Sequence, residues 1–277
     1  MGNCQYCGMD AGLLRHTHLE CQQKHDAGRK VIVSAVVDVI QTGSALETVQ
    51  SDLTKMGKLA YIPEARLKEI MAAGWAEALQ RFLEDDVLSE DEESRLMTFA
   101  DKFGLSQEQL NVNGAYTRAT MAAVLRDVLN GKTPARIHVD GAVPFNLQET
   151  ESLVWAYPKV PYYEERIHRS YIGNYHGMSV RVAKGVYYRF GGFQSNPVET
   201  SQMEQIDAGM LGVTTKHLYF AGYRKSFRVP YTKIVTIIPL TDAIGICKDA
   251  ASAKPQYFIM GEGWFIYNLV KNLSHRD

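Results

Sequence analysis

No run of this 277-residue chain is apolar for long enough to cross a bilayer. The longest, VIVSAVVDVI (Val31 to Ile40), is ten residues and is interrupted by Asp38, where a spanning helix needs about twenty. The opening residues lack the basic start, apolar stretch and small-residue cleavage site of a secretory signal, so the expected location is cytoplasmic. Cysteine is scarce, with four in all, and three of them fall within the first 21 residues. In a reducing compartment such a cluster points to metal rather than disulfides. Motifs of catalysis are missing as well: there is no G-x-S-x-G elbow, P-loop, H-E-x-x-H or dinucleotide fingerprint. RFGGF (Arg189 to Phe193) is too short to cradle a phosphate and reads as a β-turn. His138, His168, His176 and His217 share no spacing that suggests a common site. The expectation is that the chain is not an enzyme.

What is present describes a folded protein. Hydrophobic residues make up 45% and charged residues 22%, well away from disordered compositions, and the length suits two or three domains. Charge is balanced overall but uneven along the chain. Residues 1–140 carry 15 Lys/Arg against 20 Asp/Glu, and residues 141–277 carry 15 against 11. The asymmetry predicts separate domains with different surfaces. The basic excess of the second half is too mild to demand a polyanionic partner.

The stretch CQYCGMDAGLLRHTHLEC holds Cys4, Cys7 and Cys21. A C-x2-C knuckle brings two thiolates to one point, with Gly8 relieving the backbone behind it, and Cys21 supplies a third sulfur. His18, three residues before Cys21, shares its face if the segment is helical. Cys4, Cys7, His18 and Cys21 then form a tetrahedral Cys3His site for one zinc ion. A closed shell of this kind is structural, because no position remains for substrate. His25, four residues after Cys21, and His16 are alternative fourth ligands. Cys247 stands apart in an apolar stretch and reads as a buried, inert thiol.

From Gly28 to Gly131 the periodicity is helical. In IPEARLKEIMAAGWAEALQRFLEDD, Pro63 suits a first turn, and Leu67, Ile70, Met71, Trp75, Ala78, Leu79 and Phe82 recur at three- and four-residue steps. Ser89 with Glu92, and Ser106 with Gln109, are capping boxes. Leu96, Phe99, Ala100 and Phe103 make the next buried stripe, Gly104 ends it, and TRATMAAVLRDVLNGKTP gives a further helix. The acidic run Glu84 to Glu93 fails as a calcium loop, since Val87 and Leu96 stand where oxygen ligands belong; it reads as a solvated cap. FLEDDVLSEDEESRLMTFADKFGLS resembles the helical repeat of tellurite-resistance TerB-like domains over about sixty residues. The acidic motif is incomplete here, so that family's metal-binding role is not carried over.

Beyond residue 140 β-branched and aromatic residues take over. GMSVRVAKGVYYRF reads as two strands joined at Lys184-Gly185. GMLGVTTKHLYFAGYRKSFRVPYTKIVTIIPL reads as several more, broken at Thr214-Thr215, Ala221-Gly222 and Pro230-Tyr231. In KHLYF, alternation predicts a half-buried strand with Leu218 and Phe220 on one face and His217 and Tyr219 on the other. GEGWFIYNLVKNL closes the chain as an amphipathic helix through Phe265, Ile266, Leu269, Val270 and Leu273. Gly209, Leu211, Thr214, Leu218, Phe220 and Gly222, followed by Tyr231, Lys233 and Ile234, resemble the hairpin signature of bacterial pleckstrin-homology-like (PH-like) and GRAM-like domains. The resemblance covers roughly 110 residues and implies a binding module.

The expected architecture is a multidomain α+β chain: a zinc-binding knot over 1–28, a TerB-like helical domain over 29–140, and a PH-like β-barrel capped by a helix over 141–277. The expected function is a non-catalytic adaptor whose partner is another protein or a second copy of the chain. Two alternatives stand beside it. One is nucleic-acid binding through the knot, which its acids Asp10, Glu20 and Asp26 weaken. The other is peripheral contact with anionic lipid through the barrel. Arg224, Lys225 and Arg228 are the candidate lipid or phosphate ligands, with Lys216 and Arg181 as neighbours; Arg224 and Arg228 share a strand face that Lys225 does not.

Overall fold

The computed structural model describes residues 2–12, 15–85, 87–139, 142–183, 186–250 and 253–275, with side chains at all of these except 85 and 167–200. The chain is α+β and divides into two compact units, Met1–Arg136 and Ile137–Asp277.

The first unit holds the N-terminal knot and six helices: α1 (Leu19–Thr42), α2 (Leu46–Leu59), α3 (Glu64–Phe82), α4 (Glu90–Phe103), α5 (Gln107–Leu110) and α6 (Ala115–Leu129). The expected boundary at 28/29 falls inside α1, which runs through it without interruption. The stripe expected from Leu67 to Phe82 is buried throughout on α3; enclosing such side chains contributes about 2 kcal/mol each. It packs on Ile32, Val36, Val37 and Ile40 of α1 and on Leu96 and Phe99 of α4. Trp75, the largest fully buried side chain, donates its indole N–H to the Leu96 carbonyl at 2.9 Å, which meets the polar requirement of a buried ring. Both capping boxes form, at Ser89/Glu92 and Ser106/Gln109, and Gly104 closes α4 in the left-handed conformation.

Glu84, Glu90 and Asp91 of the acidic run are exposed, as a solvated cap requires, but Glu93 at its end is drawn inward. Glu93 and Asp127 are ion-paired with Arg126 and Arg136, and Arg126 is nearly enclosed. Arg126 also donates to the Leu88 carbonyl at 3.0 Å. Only tertiary packing reveals this network, because its members lie up to 43 residues apart.

The second unit is a seven-stranded antiparallel sheet with one helix. Its strands are β1 (Leu153–Ala183), β2 (Val186–Thr214), β3 (His217–Gly222), β4 (Ser226–Pro230), β5 (Ile234–Pro239), β6 (Ala243–Lys248) and β7 (Gln256–Ile259), in spatial order β4-β3-β2-β1-β7-β6-β5; the chain then enters α7 (Gly263–Ser274). β1 and β2 form one long hairpin, from Leu153 opposite Thr214 to Ala183 opposite Val186; Lys184 and Gly185, where the turn is expected, lie outside the described residues. The hairpin corrects one reading: Arg189 to Phe193 is not a turn but a segment of β2, paired with Tyr175 to Ser179. The barrel expectation is corrected as well. The sheet is open, because β4 and β5 occupy its two edges and are not paired with each other among the described residues.

The sheet's core is aromatic. The ring of Tyr162 meets those of Phe220, Phe227 and Phe258 at 5.1–5.4 Å. Trp155 meets Phe265 of α7 edge-on at 5.0 Å, and the expected apolar face of α7 is buried at all five positions. Gly209 pairs directly with Gly222, Leu211 with Phe220 and Val213 with Leu218, so the signature residues lie opposite one another in one hairpin. One expectation for this hairpin fails. His217 and Tyr219 are buried along with Leu218 and Phe220, because the segment before β1 covers their face: the Phe145 ring lies 5.3 Å from Tyr219.

Candidate metal centre

The knot is a tight hairpin. The Asn3–Asp10 bridge closes it, Cys4 N–H donates to the Met9 carbonyl at 2.7 Å, and Gly8 N–H donates to the Cys4 carbonyl at 2.8 Å. Gly8 adopts φ +75° to complete the knuckle, a conformation that favours glycine. The Asp10 carboxylate accepts from the Gly12 amide at 3.0 Å, turning the chain back. Gln5 N–H then reaches the His16 carbonyl at 2.9 Å, and His18 stands as the N-cap of α1 with Cys21 in its first turn.

This path brings together Cys4 Sγ, Cys7 Sγ, one ring nitrogen of His18 and Cys21 Sγ, all within 4.8 Å of one another. His18 Nδ1 lies 3.4 Å from Cys7 Sγ and 3.7 Å from Cys21 Sγ. A tetrahedral zinc with ordinary Zn–S and Zn–N bonds separates sulfur and nitrogen by about 3.5 Å, so the four donors fit that ion. The surroundings fix the imidazole as well. His18 Nε2 lies 2.9 Å from the Asp10 carbonyl, so Nε2 carries the proton and Nδ1 faces the sulfurs, the outer-sphere arrangement usual for a ligating histidine.

The four side chains are electrostatically divided. Burial raises the Cys4 thiol, but the backbone amides of Cys7, His18 and Tyr6 and a bond from Cys7 outweigh it and lower the pKa to about 6. Cys21 is raised to about 11, by burial first and then by Cys7 and Cys4. Metal binding therefore has to displace a proton at Cys21. His18 is raised, chiefly by the Asp10 carbonyl.

The other candidate residues lie elsewhere. The His25 ring rests 4.8 Å from the ring of Tyr6 and its Nδ1 is 3.2 Å from Asp26, outside the cluster, and His16 is not part of it either. Cys247 is only half-buried, not enclosed as expected. Asp10 was missed as a functional residue, since it acts through its carbonyl; the Asp-x-Gly spacing that turns the chain there was the readable signal.

Arg224 and Lys225 occupy the β3–β4 turn, and Arg228 lies on β4 opposite Tyr219. The turn is pinned by Asp207, whose carboxylate accepts from Arg224 N–H at 2.6 Å and Lys225 N–H at 2.8 Å. Lys225 Nζ is engaged with Glu164 at 2.8 Å. Lys216 sits at the far end of β3, with Nζ 2.6 Å from the Thr150 hydroxyl. The Arg181 side chain, like those of His168 and His176, is outside the described residues. His217 belongs to a buried polar cluster, with Nδ1 2.8 Å from Glu151.

Comparison with models of protein families, with curated proteins and with solved structures found no match for this chain. No helix among the described residues is long and apolar enough to cross a membrane.

Proposed function

We propose that this protein is a non-catalytic adaptor whose N-terminal knot is held by one structural zinc ion and whose second unit is a PH-like binding module for another protein. The observation that carries the reading is the Cys3His cluster: four protein donors of the right chemistry converge at tetrahedral spacing, which leaves no coordination position for a substrate. When bound, the zinc supplies cross-linking of the knot to α1 rather than chemistry. The PH-like reading of the second unit is supported by the antiparallel meander, by the Gly209–Gly222 hairpin and by the helix that follows the last strand. The TerB-like reading of the helices rests on the capped, acidic start of α4.

Lys225 is already occupied by Glu164, and this weakens the lipid or phosphate reading of the Arg224–Lys225–Arg228 cluster. The test is a pull-down with the tagged full chain from its native cell, with and without nuclease and with a detergent-free membrane fraction alongside. A stoichiometric protein that survives nuclease supports the adaptor. Loss of all bound material after nuclease, or recovery only with membranes, transfers the function to nucleic acid or anionic lipid.

A further inference from the structure

The start of α1 has little of its own to hold it. No residue from Leu19 to Val31 is among the buried positions of the helix, which begin at Ile32. Its N-cap residue, His18, makes no side-chain capping bond, because the imidazole is turned toward the sulfurs instead. Exposed polar helical turns without a cap are marginal in water. Two of the four candidate metal donors, His18 and Cys21, lie at this end.

These same turns cover the connection between α2 and α3. At Gly28 the helix meets Ala60 so closely that a Cβ at 28 would overlap the Ala60 methyl. One turn earlier, Lys24 Nζ lies 5.2 Å from the centre of the Tyr61 ring. Ala60 and Ile62 are buried and belong to the core of the unit. Tyr61 between them has φ +57°, a left-handed conformation that costs a non-glycine residue about 1 kcal/mol or more and persists only where its surroundings enforce it. The connection is closed by Ala60 N–H to the Met56 carbonyl at 3.0 Å and Ile62 N–H to the Gly57 carbonyl at 2.9 Å.

Resting on the zinc reading above, we propose that the metal acts as a lock on the α2–α3 connection. With metal bound, α1 is helical from its first turn, and Gly28 and Lys24 hold Ala60 and Tyr61 in place. Without metal, the turns before Ile32 fray, Tyr61 relaxes from its strained conformation, and Ala60 and Ile62 become accessible. The bundle around Trp75 does not depend on the cluster and stays folded. Zinc occupancy thereby decides whether an apolar surface on the helical unit is covered.

The experiment is hydrogen–deuterium exchange on the full chain, zinc-loaded and after chelation, with bound metal counted in the same samples. The expected result is one zinc per chain when loaded. On chelation, protection should fall about tenfold or more in residues 19–31 and in residues 57–62 together, with α4 unchanged. Gly28→Val should separate the two halves: it should retain zinc but lose protection at 57–62 even when loaded. Protection in α4 reports that this variant is folded. Full zinc uptake with unchanged exchange at 57–62 on chelation would overturn the lock and leave the metal site standing. Failure to take up zinc at all would remove the site reading and the lock with it.

Discussion

Glu151 and His217 form an enclosed acid–imidazole pair, with His217 Nδ1 2.8 Å from the carboxylate and the Glu151 side chain wholly shielded from solvent. The same carboxylate accepts from the Thr214 hydroxyl, and from Tyr219 Oη at 2.8 Å and the Gln148 amide at 3.1 Å. The segment before β1 is thereby tied to the β2–β3 hairpin. Burial pushes the Glu151 carboxyl up, but these donors together outweigh it and its pKa lies below the ordinary carboxylate value. A carboxylate lowered in this way stabilises the fold above its unfolded pKa, and the contribution is lost as pH falls through the folded one. The second unit should therefore lose stability on acidification below the usual carboxylate range. Glu151→Gln should cost on the order of 2 kcal/mol at neutral pH by leaving buried donors poorly matched, and it should flatten that acid limb. Urea melts of both proteins at neutral pH and at acid pH measure the two effects; an unchanged acid limb in the variant would assign the pH dependence elsewhere.

Gly74 is where α3 crosses α1. A Cβ there would stand 2.7 Å from Val36 Cβ and 3.2 Å from the Val33 carbonyl, and a helix backbone cannot retreat without disturbing Ile32 and Ile40. Gly74→Ala should be destabilising by about 1–3 kcal/mol despite alanine's better helix propensity, because overpacking outweighs propensity. Chemical denaturation followed by far-UV circular dichroism gives the number, and a stabilised variant would refute the close crossing.

Arg126 bridges Glu93 and Asp127 at 2.7 and 2.9 Å with little exposure. Arg126→Ala leaves the Glu93 and Asp127 carboxylates with their ion pairs to Arg136 but without the enclosed guanidinium between them. The expected loss is about 3–5 kcal/mol, the range for breaking one side of a buried pair. An exposed pair offers the contrast: Lys55→Ala, which removes the 3.4 Å contact with Asp52, should change stability by less than about 1 kcal/mol.

Cys21→Ser removes one of the four donors and the only one inside α1. Bound zinc should fall from one per chain to a trace in dialysed protein, and the knot with the first turns of α1 should become sensitive to protease. The second unit should be unaffected, since it is a separate compact body. Retention of full zinc would mean that Cys21 is not a ligand and that the donor set is wrong.

Asp207 holds the β3–β4 turn through the amides of Arg224 and Lys225. Asp207→Ala should leave these donors unpaired and cost about 1–2 kcal/mol, with the change in amide chemical shifts confined to residues 207–226. A change spread over the whole sheet would show that the carboxylate does more than shape the turn.

The amino-acid sequence by itself determined the local features. Repeats of three and four residues marked the buried faces of α3, α4 and α7, the Ser–Glu and Ser–Gln pairs marked two helix starts, and the Cys spacing marked three of the four residues that could hold a metal, leaving the choice of histidine open. All of these depend on neighbours within one or two turns, where side-chain type and backbone geometry are tightly linked. Only the tertiary structure decided the continuity of α1 through residue 28, the open edge of the sheet, the ion pairs joining Glu93 to Arg126 and Arg136, and the burial of His217 against Glu151. The ion pairs and the buried acid–imidazole pair are contacts between residues far apart in the chain, and the open edge is set by which distant strands pair. The free energy of such a contact exists only once other elements have excluded water from the pair, and no local pattern encodes which elements will do so.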